Sequence, residues 1–276
     1  MIPSEHQLRS SHPHDSPIAT PATSLTGIEC AVHITVPTHA HGSETGTTFR
    51  HRNVLAANER VALAGFVLTS AERTVFDLAR SEPFPIALAC ADAYVKRAFI
   101  VGRNIDHASL QAWRERMIQR ADHMPRGRGM GAVRALAAIA NPLADSPLES
   151  VSRLRLLQLG IVPELQVGVP SERGGTYFLD FLIRELGVFG ECDGKSKYTN
   201  AALRAGRTAE EIVYAEKRRH DWIAGSQGLR GIRWGAAEAI SAAILEQHLR
   251  AQGTHVPGRP TRSYGAQVAR FLGGLQ

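Results

Sequence analysis

The sequence predicts an α/β fold, and three observations carry that prediction. Tyr177–Ile183 alternates apolar residues with period two, and after a break at Arg184–Gly187 a second strand-like run returns through Val188–Asp193. Around this hairpin the predicted order is helix (Pro147–Leu159), strand (Glu164–Val169), hairpin, helix (Thr208–Gly225), strand (Leu229–Trp234) and helix (Ala236–Ala251). That order suits helices packed on a mixed sheet. The chain before it opens with β-like stretches and continues as helices, the pattern of a smaller α+β domain.

Residues 1–27 are rich in Ser, Pro, His and Thr with little apolar periodicity, and are expected to be disordered. A first domain is expected over 28–141. Its β-like stretches are His33–Pro37, Thr47–Asn53 and Val61–Thr69. Ser70 is then placed to cap a helix in which Val75, Leu78 and Ala79 form an apolar stripe beside Phe76. Further helices are expected over Ile86–Phe99, Leu110–Ala121 and Met130–Ala140, the last two separated by a loop at Pro125–Gly131. A proline-containing polar break at Asn141–Ser146 leads to the second domain, 146–251. A tail, 252–276, follows with a short helix near Gly265–Leu272.

A chain of 276 residues, 43% hydrophobic and 21% charged, has the composition of an ordinary globular protein with room for a sizeable core. It contains no apolar run of the about 18 residues that a membrane helix requires. The start, MIPSEHQLRSSHPHDSP, lacks the basic and apolar regions of a secretory signal. Cys30, Cys90 and Cys192 are scattered and without CxxC spacing, which points to a reducing, cytoplasmic setting and away from structural zinc. His39 and His41 form an H-x-H without a third ligand nearby. P-loop, GxGxxG and GxSxG patterns are missing.

The net charge is +6, and it is unevenly spread. Lys96, Arg97, Arg103, Arg114, Arg116, Arg120, Arg126, Arg128 and Arg134 face only Asp106, Glu115 and Asp122 in the same stretch. Such a surplus can track phosphates, or form a solvated helical face.

The hairpin concentrates the chemistry. Pairing Ile183 with Val188 across the turn puts Asp180 directly opposite Glu191, with Asp193 on the same side. Two carboxylates about 4 Å apart at an effective dielectric of about 20 repel by about 4 kcal/mol. A proton or a cation between them removes that cost, and a divalent metal is the economical choice. Each residue also has a plainer reading. Glu149 follows Ser146 by three positions, as in a capping box with Pro147 in the first turn. Asp180 interrupts the apolar run FLDFLI, where a charge needs a partner. Asp193 precedes Gly194 and suits a turn. Lys195 and Lys197 suit solvent. In Glu210–Trp222, pairs Glu216–Arg219 and Lys217–Asp221 are spaced for helix-surface ion pairs, while Lys217, Arg218 and Arg219 could instead grip phosphate. Trp222 and Trp234 fit core packing better than base stacking.

In order along the chain, SPLESVSRLRLLQLGIVPELQ, FLDFLI, GECDGKSKY, AEKRRHDWI and LRGIRW resemble the nuclease-like relatives of very-short-patch-repair endonucleases, within the PD-(D/E)XK superfamily. The resemblance spans roughly Ser146–Glu238. AVHITVP, GFVLTSAERTVFDLAR and ALACADAY resemble the middle region of actinobacterial AbiEi-type antitoxin-like proteins, where a winged-helix domain usually comes first. Here about thirty low-complexity residues take that place.

The resemblance implies a restriction-endonuclease-like mixed sheet flanked by helices, and Mg²⁺- or Mn²⁺-dependent cleavage or nicking of DNA. Asp180 and Glu191 then match the metal-binding acids and Glu149 the helical acid. The position two after Glu191, usually Lys, is Asp193, so Lys195 or Lys197 must reach back to serve. Mg²⁺ held by carboxylates neutralises phosphate charge and activates water, and a lysine orients that water. The alternative is a non-catalytic AbiEi-like antitoxin or transcriptional regulator that binds DNA or a toxin partner. A third reading is an interaction scaffold with a residual site.

Overall fold

The structure, a computed structural model, describes residues 32–36, 38–39, 48–102, 104–192 and 208–275. The chain forms two compact units, Met1–Ala56 and Ala57–Gln276. The expected disordered segment 1–27 lies outside the described residues. In the smaller unit β1 (Val32–Val36) and β2 (Thr48–Arg52) pair in parallel, Val32 beside Thr48 and Val36 beside Arg52.

The larger unit is a mixed α/β structure. It begins with β3 (Arg60–Leu63) and β4 (Phe66–Thr69), an antiparallel hairpin where the sequence suggested one continuous stretch. Ala64 (φ +49°) and Gly65 (φ +82°) both take left-handed backbone. Such a two-residue turn matches the twist of its flanking strands, so the chain can reverse inside an apolar run. Ser70 then caps α1 (Ala71–Ser81), accepting from the Arg73 N–H at 3.3 Å. Helix α2 (Phe84–Phe99), the short strands β5 (Ile100–Val101) and β6 (Asn104–Ile105), α3 (His107–Asp122) and α4 (Met130–Ile139) follow. All four helices agree with the apolar periodicity within three residues at each end.

Helix α5 (Pro147–Gln158) lies at the centre of this unit. Leu154 and Leu157 join a helical core with Phe76, Leu88, Trp113 and Leu136. Leu156 joins the sheet core with Phe181, Ile183, Val188, Ile232 and Trp234. A helix covered on both sides must satisfy its polar groups internally. Arg153 accordingly makes a two-pronged pair with Asp92 (2.8 and 3.0 Å) and donates to Ile139 O at 2.6 Å. Arg155 donates to Gln158 Oε1 and Ile240 O, each at 2.8 Å. Burial away from water lowers the Arg155 pKa. The break at Asn141–Ser146 is therefore a connection within one compact unit, with α5 belonging to both cores.

The sheet runs β10-β9-β8-β7. Strands β7 (Glu164–Pro170), β8 (Thr176–Ile183) and β9 (Val188–Cys192) form an antiparallel meander, and α6 (Ala209–Gln227) crosses over to β10 (Arg230–Trp234), parallel to β9. Thr208 and Glu211 close a capping box at the start of α6. One helix was expected from Ala236; instead a 3-10 turn at Glu238–Ile240 precedes α7 (Ala242–Ala251). The Ser241 hydroxyl accepts from the Ile244 N–H at 3.3 Å, starting a new helix there. The expected tail is stitched to α5: Thr261 N–H donates to Leu157 O at 2.9 Å, and α8 (Ala266–Gly273) buries Val268 and Leu272 in the helical core. Among the described residues, no helix is long and apolar enough to cross a membrane.

Candidate functional site

The acidic hairpin turns through a 3-10 segment, Arg184–Leu186, ended by Gly187 in left-handed backbone (φ +59°). Ile183 pairs with Val188, Leu182 with Phe189 and Phe181 with Gly190. This is the register the sequence implied, but the expected pairing of Asp180 with Glu191 at the following rung is not formed. The ladder stops before that rung. Beyond Gly190 the Asp180 carboxylate takes over a backbone role, its Oδ2 accepting from the Cys192 N–H at 2.9 Å.

Glu191 is buried, 7% exposed, and both its oxygens face guanidinium groups. Arg219 from α6 donates to Oε1. Arg233, its register partner on β10, lies 3.1 Å from Oε2. Glu216 completes the group, 3.5 Å from Arg233 and 3.8 Å from Arg219. Two carboxylates and two guanidiniums thus form a charge-balanced quartet. Arg219 is further fixed by donating to Phe178 O at 2.6 Å and by lying 5.6 Å over the Tyr177 ring. The counter-charge that the facing carboxylates require is therefore supplied, at Glu191, by arginine.

Glu149 is 1% exposed. Its Oε1 accepts from the Ser146 hydroxyl at 2.8 Å, while the Ser146 Oγ accepts from the Glu149 N–H at 3.2 Å. Oε2 accepts from the Asp145 N–H at 2.9 Å and from the Gln166 side-chain amide at 3.1 Å. The capping role is real, and the Gln166 bond is additional to it.

Gln166 marks a change in the sheet. The single apolar face expected for Tyr177, Leu179, Phe181 and Ile183 does not form. Phe181 and Ile183 pack with Leu156 and Leu165 on the α5 side. Leu179 packs with Val169, Phe189 and Ile223 of α6, with Tyr177 against the same cluster. On β7 the rungs Leu165–Phe181 and Val167–Leu179 bracket Gln166 and Asp180. Gln166 has φ +50°, left-handed backbone inside a strand. Both strands change face across this position: Leu165, Phe181 and Ile183 lie in one cluster, and Val167, Val169, Tyr177 and Leu179 in the other.

Other candidates divide. Asp193, Lys195 and Lys197 lie outside the described residues. Within the basic cluster on α6, Arg219 turns inward, Arg218 pairs with Glu172 at 3.3 Å, and Lys217 is exposed. His220 lies on the ring of Phe189, 5.1 Å between centroids. A hydrogen bond from Tyr177 holds the Glu172 carboxyl below its usual range, with Arg218 adding to the effect. Much of the Lys96–Arg134 surplus is engaged internally. Lys96 pairs with Asp145, Arg116 with Glu72, Arg120 with Glu59 and Arg134 with Asp122, while Arg114 donates to Ala140 O. Arg97, Arg126 and Arg128 are exposed. Cys90 and Cys192 are free thiols.

The sequence reading missed Arg233 and Gln166. Arg233 was detectable only as a charge alternating with Ile232 and Trp234 on a strand whose register it could not fix. Gln166 carried no signal, since left-handed backbone inside a strand has no sequence signature at glutamine. Among the described residues, no three His, Cys, Asp or Glu side chains are grouped to hold a metal. Comparison with protein-family models, curated proteins and solved structures finds no match for this chain.

Proposed function

We propose that this chain is a DNA phosphodiesterase of restriction-endonuclease-like fold, an endonuclease or nickase that depends on Mg²⁺ or Mn²⁺. The observation that carries the reading is positional. In the order α5-β7-β8-β9-α6-β10, Glu149 opens the first helix, and Asp180 and Glu191 come directly after Phe181–Gly190, the last paired rung of the central hairpin. These are the places the resemblance assigns to the helical acid and the two metal-binding acids.

Carboxylate oxygens are the hard donors that Mg²⁺ takes, usually one or two of them with several waters. Asp180 and Glu191 fit that donor chemistry, on the condition that Glu191 exchanges a guanidinium for the cation. When bound, the cation neutralises phosphate charge and lowers the pKa of a coordinated water. The protein's part is to hold the Asp180 carboxylate on the end of β9 through the Cys192 N–H. Arg219, released from Glu191, remains tethered to Phe178 O within reach of a phosphate. The exposed Lys217 and Arg218 lie on the same helix and suit the flanking backbone of DNA.

The test is nicking of supercoiled DNA with Mg²⁺ or Mn²⁺, using wild type, Asp180→Asn and Glu191→Gln. Cleavage by the wild type alone supports the reading; equal cleavage by Asp180→Asn defeats it. One observation favours a second reading, a non-catalytic antitoxin-like regulator binding DNA or a toxin partner: both oxygens of Glu191 are taken by arginine. DNA binding without cleavage, and unchanged in Asp180→Asn, would select that alternative.

A further inference from the structure

The hairpin β3–β4 sets out an apolar surface that the fold leaves uncovered. In an antiparallel pair, residues opposite each other share a face, and so do alternate residues along each strand. Val61 pairs with Leu68 and Leu63 with Phe66, so these four side chains form one face. Each of them is between 46% and 70% exposed. None enters a core cluster among the described residues. A two-stranded hairpin gains too little from its own pairing to stand alone in water, and needs a further layer over its apolar face. Contiguous exposed apolar surface of this kind marks an association site. The base of the hairpin, by contrast, is firmly fixed. The Ser70 N–H donates to Glu59 O at 2.8 Å. The Glu59 carboxylate pairs with Arg73 of α1 at 2.8 Å and with Arg120 of α3. The Thr69 and Thr74 hydroxyls are 2.7 Å apart. Two helices therefore hold the base while the apolar face stands in solvent. A strand pair presented in this way is ordered before it binds, which lowers the entropic cost of association.

We infer that the face formed by Val61, Leu63, Phe66 and Leu68 is a self-association surface, on which a second copy of this chain packs its own hairpin face to face. The inference stands apart from the phosphodiesterase reading. Charge, geometry and area together select a second copy. A two-fold axis sets identical patches against each other. This patch carries no charge, so two copies bring no like charges together. Arg60 lies on the opposite face with Ala62 and Val67, and Glu59 at the base is already neutralised by Arg73 and Arg120. Stacked face to face at about 10 Å, two hairpins cover the apolar faces of both at once. Pairing through the open edge of β4 would leave those faces in water. A standard interface buries about 800 Å² on each partner, and four side chains supply only part of that. The dimer is therefore weak and concentration-dependent.

The experiment is sedimentation equilibrium of the full chain across the micromolar range, for wild type, Leu63→Asp, Phe66→Asp and Val67→Asp. Thermal melts of the same proteins are taken at the lowest concentration. The wild-type mass should rise with concentration from the 30.0 kDa of one chain toward twice that value. Leu63→Asp and Phe66→Asp should each raise the dissociation constant of the dimer at least about tenfold, the loss of one apolar anchor. Val67→Asp places the same charge on the other face of the hairpin and should leave that constant near wild type. Melting temperatures of the dilute variants should match wild type, because the single chain does not bury this face. A mass of one chain at every concentration would overturn the inference. So would a dimer that Val67→Asp weakens as much as Phe66→Asp. A clear fall in the melting temperature of dilute Phe66→Asp would also overturn it, by showing that the chain covers this face itself.

Discussion

Glu191 decides what kind of rung the hairpin carries. A carboxylate 7% exposed between Arg219 and Arg233 is neutralised twice over, and Glu216 balances the second guanidinium. Removing only the negative partner leaves partly buried guanidiniums facing each other. Glu191→Gln should therefore cost about 2 kcal/mol of folding stability in denaturant melts. Asp180→Asn should cost little, because the amide oxygen can still accept the Cys192 N–H; equal losses in the two variants would contradict this division. Tyr94 gives a pH-dependent case. Burial, then the negative charge of Glu72, pushes its hydroxyl from 10.0 to about 12. The raised value means the neutral form is favoured in the folded state. Its contribution is complete below pH 10 and is lost as pH rises toward about 12. Discounted for a half-exposed ring, the loss is about 1 kcal/mol, and Tyr94→Phe should flatten the alkaline limb of the stability curve. At this scale the sequence was informative where chemistry is local. Ser146 and Glu149 show their cap in four consecutive residues, and Asp180 shows its need for a partner in FLDFLI. Arg233 and Arg219 were not legible as its neighbour's partners, because each reaches Glu191 from an element whose placement depends on tertiary packing.

Elements with strong local signals appear where the sequence puts them. The Ser70 cap, the apolar stripe of α1 and the Thr208–Glu211 capping box fix helix starts from short-range interactions alone. The hairpin register was legible because a four-residue turn leaves one pairing that keeps Ile183 beside Val188. The switch of apolar faces near Gln166 was not, since left-handed backbone at a glutamine inside a strand leaves no local signal in the sequence. The other rung that defines the sheet is glycine. A Cβ at Gly190 would lie 2.2 and 2.6 Å from the Trp234 ring. That ring has no room to retreat: its N–H donates to Ser152 at 2.9 Å and it stacks on Phe181 at 5.5 Å. Gly190→Ala should destabilise by about 3 kcal/mol, the upper part of the range for overpacked cores. A loss below about 1 kcal/mol in urea melts would mean that the ring yields.

Across the molecule, charge that looked available in the sequence is partly consumed by the fold. Lys96, Arg116, Arg120 and Arg134 have carboxylate partners and Arg114 a carbonyl, so the Lys96–Arg134 surplus offers fewer phosphate contacts than its count suggested. Arg219 is likewise turned toward Glu191. Lys217 and Arg218 differ from it by facing outward on α6, with Arg218 in an exposed pair to Glu172. Exposed pairs of this kind contribute about 0–1 kcal/mol and yield readily to a phosphate. DNA affinity should therefore weaken as salt rises, through release of the ions condensed on the phosphates. Changing Lys217 and Arg218 together to Ala should make the slope of log affinity against log salt shallower by about 2 for duplex DNA, one unit per lost phosphate contact. The same pair of changes should leave thermal stability nearly unaltered, since neither side chain joins a core. Arg219→Ala should behave in the opposite way, lowering stability because Glu191 loses its α6 partner. Binding isotherms at several salt concentrations, with melts of the same variants, separate the two roles. A slope unaltered by the Lys217/Arg218 pair would move the DNA contact off α6 and onto other exposed cations, Arg97, Arg126 and Arg128 first among them.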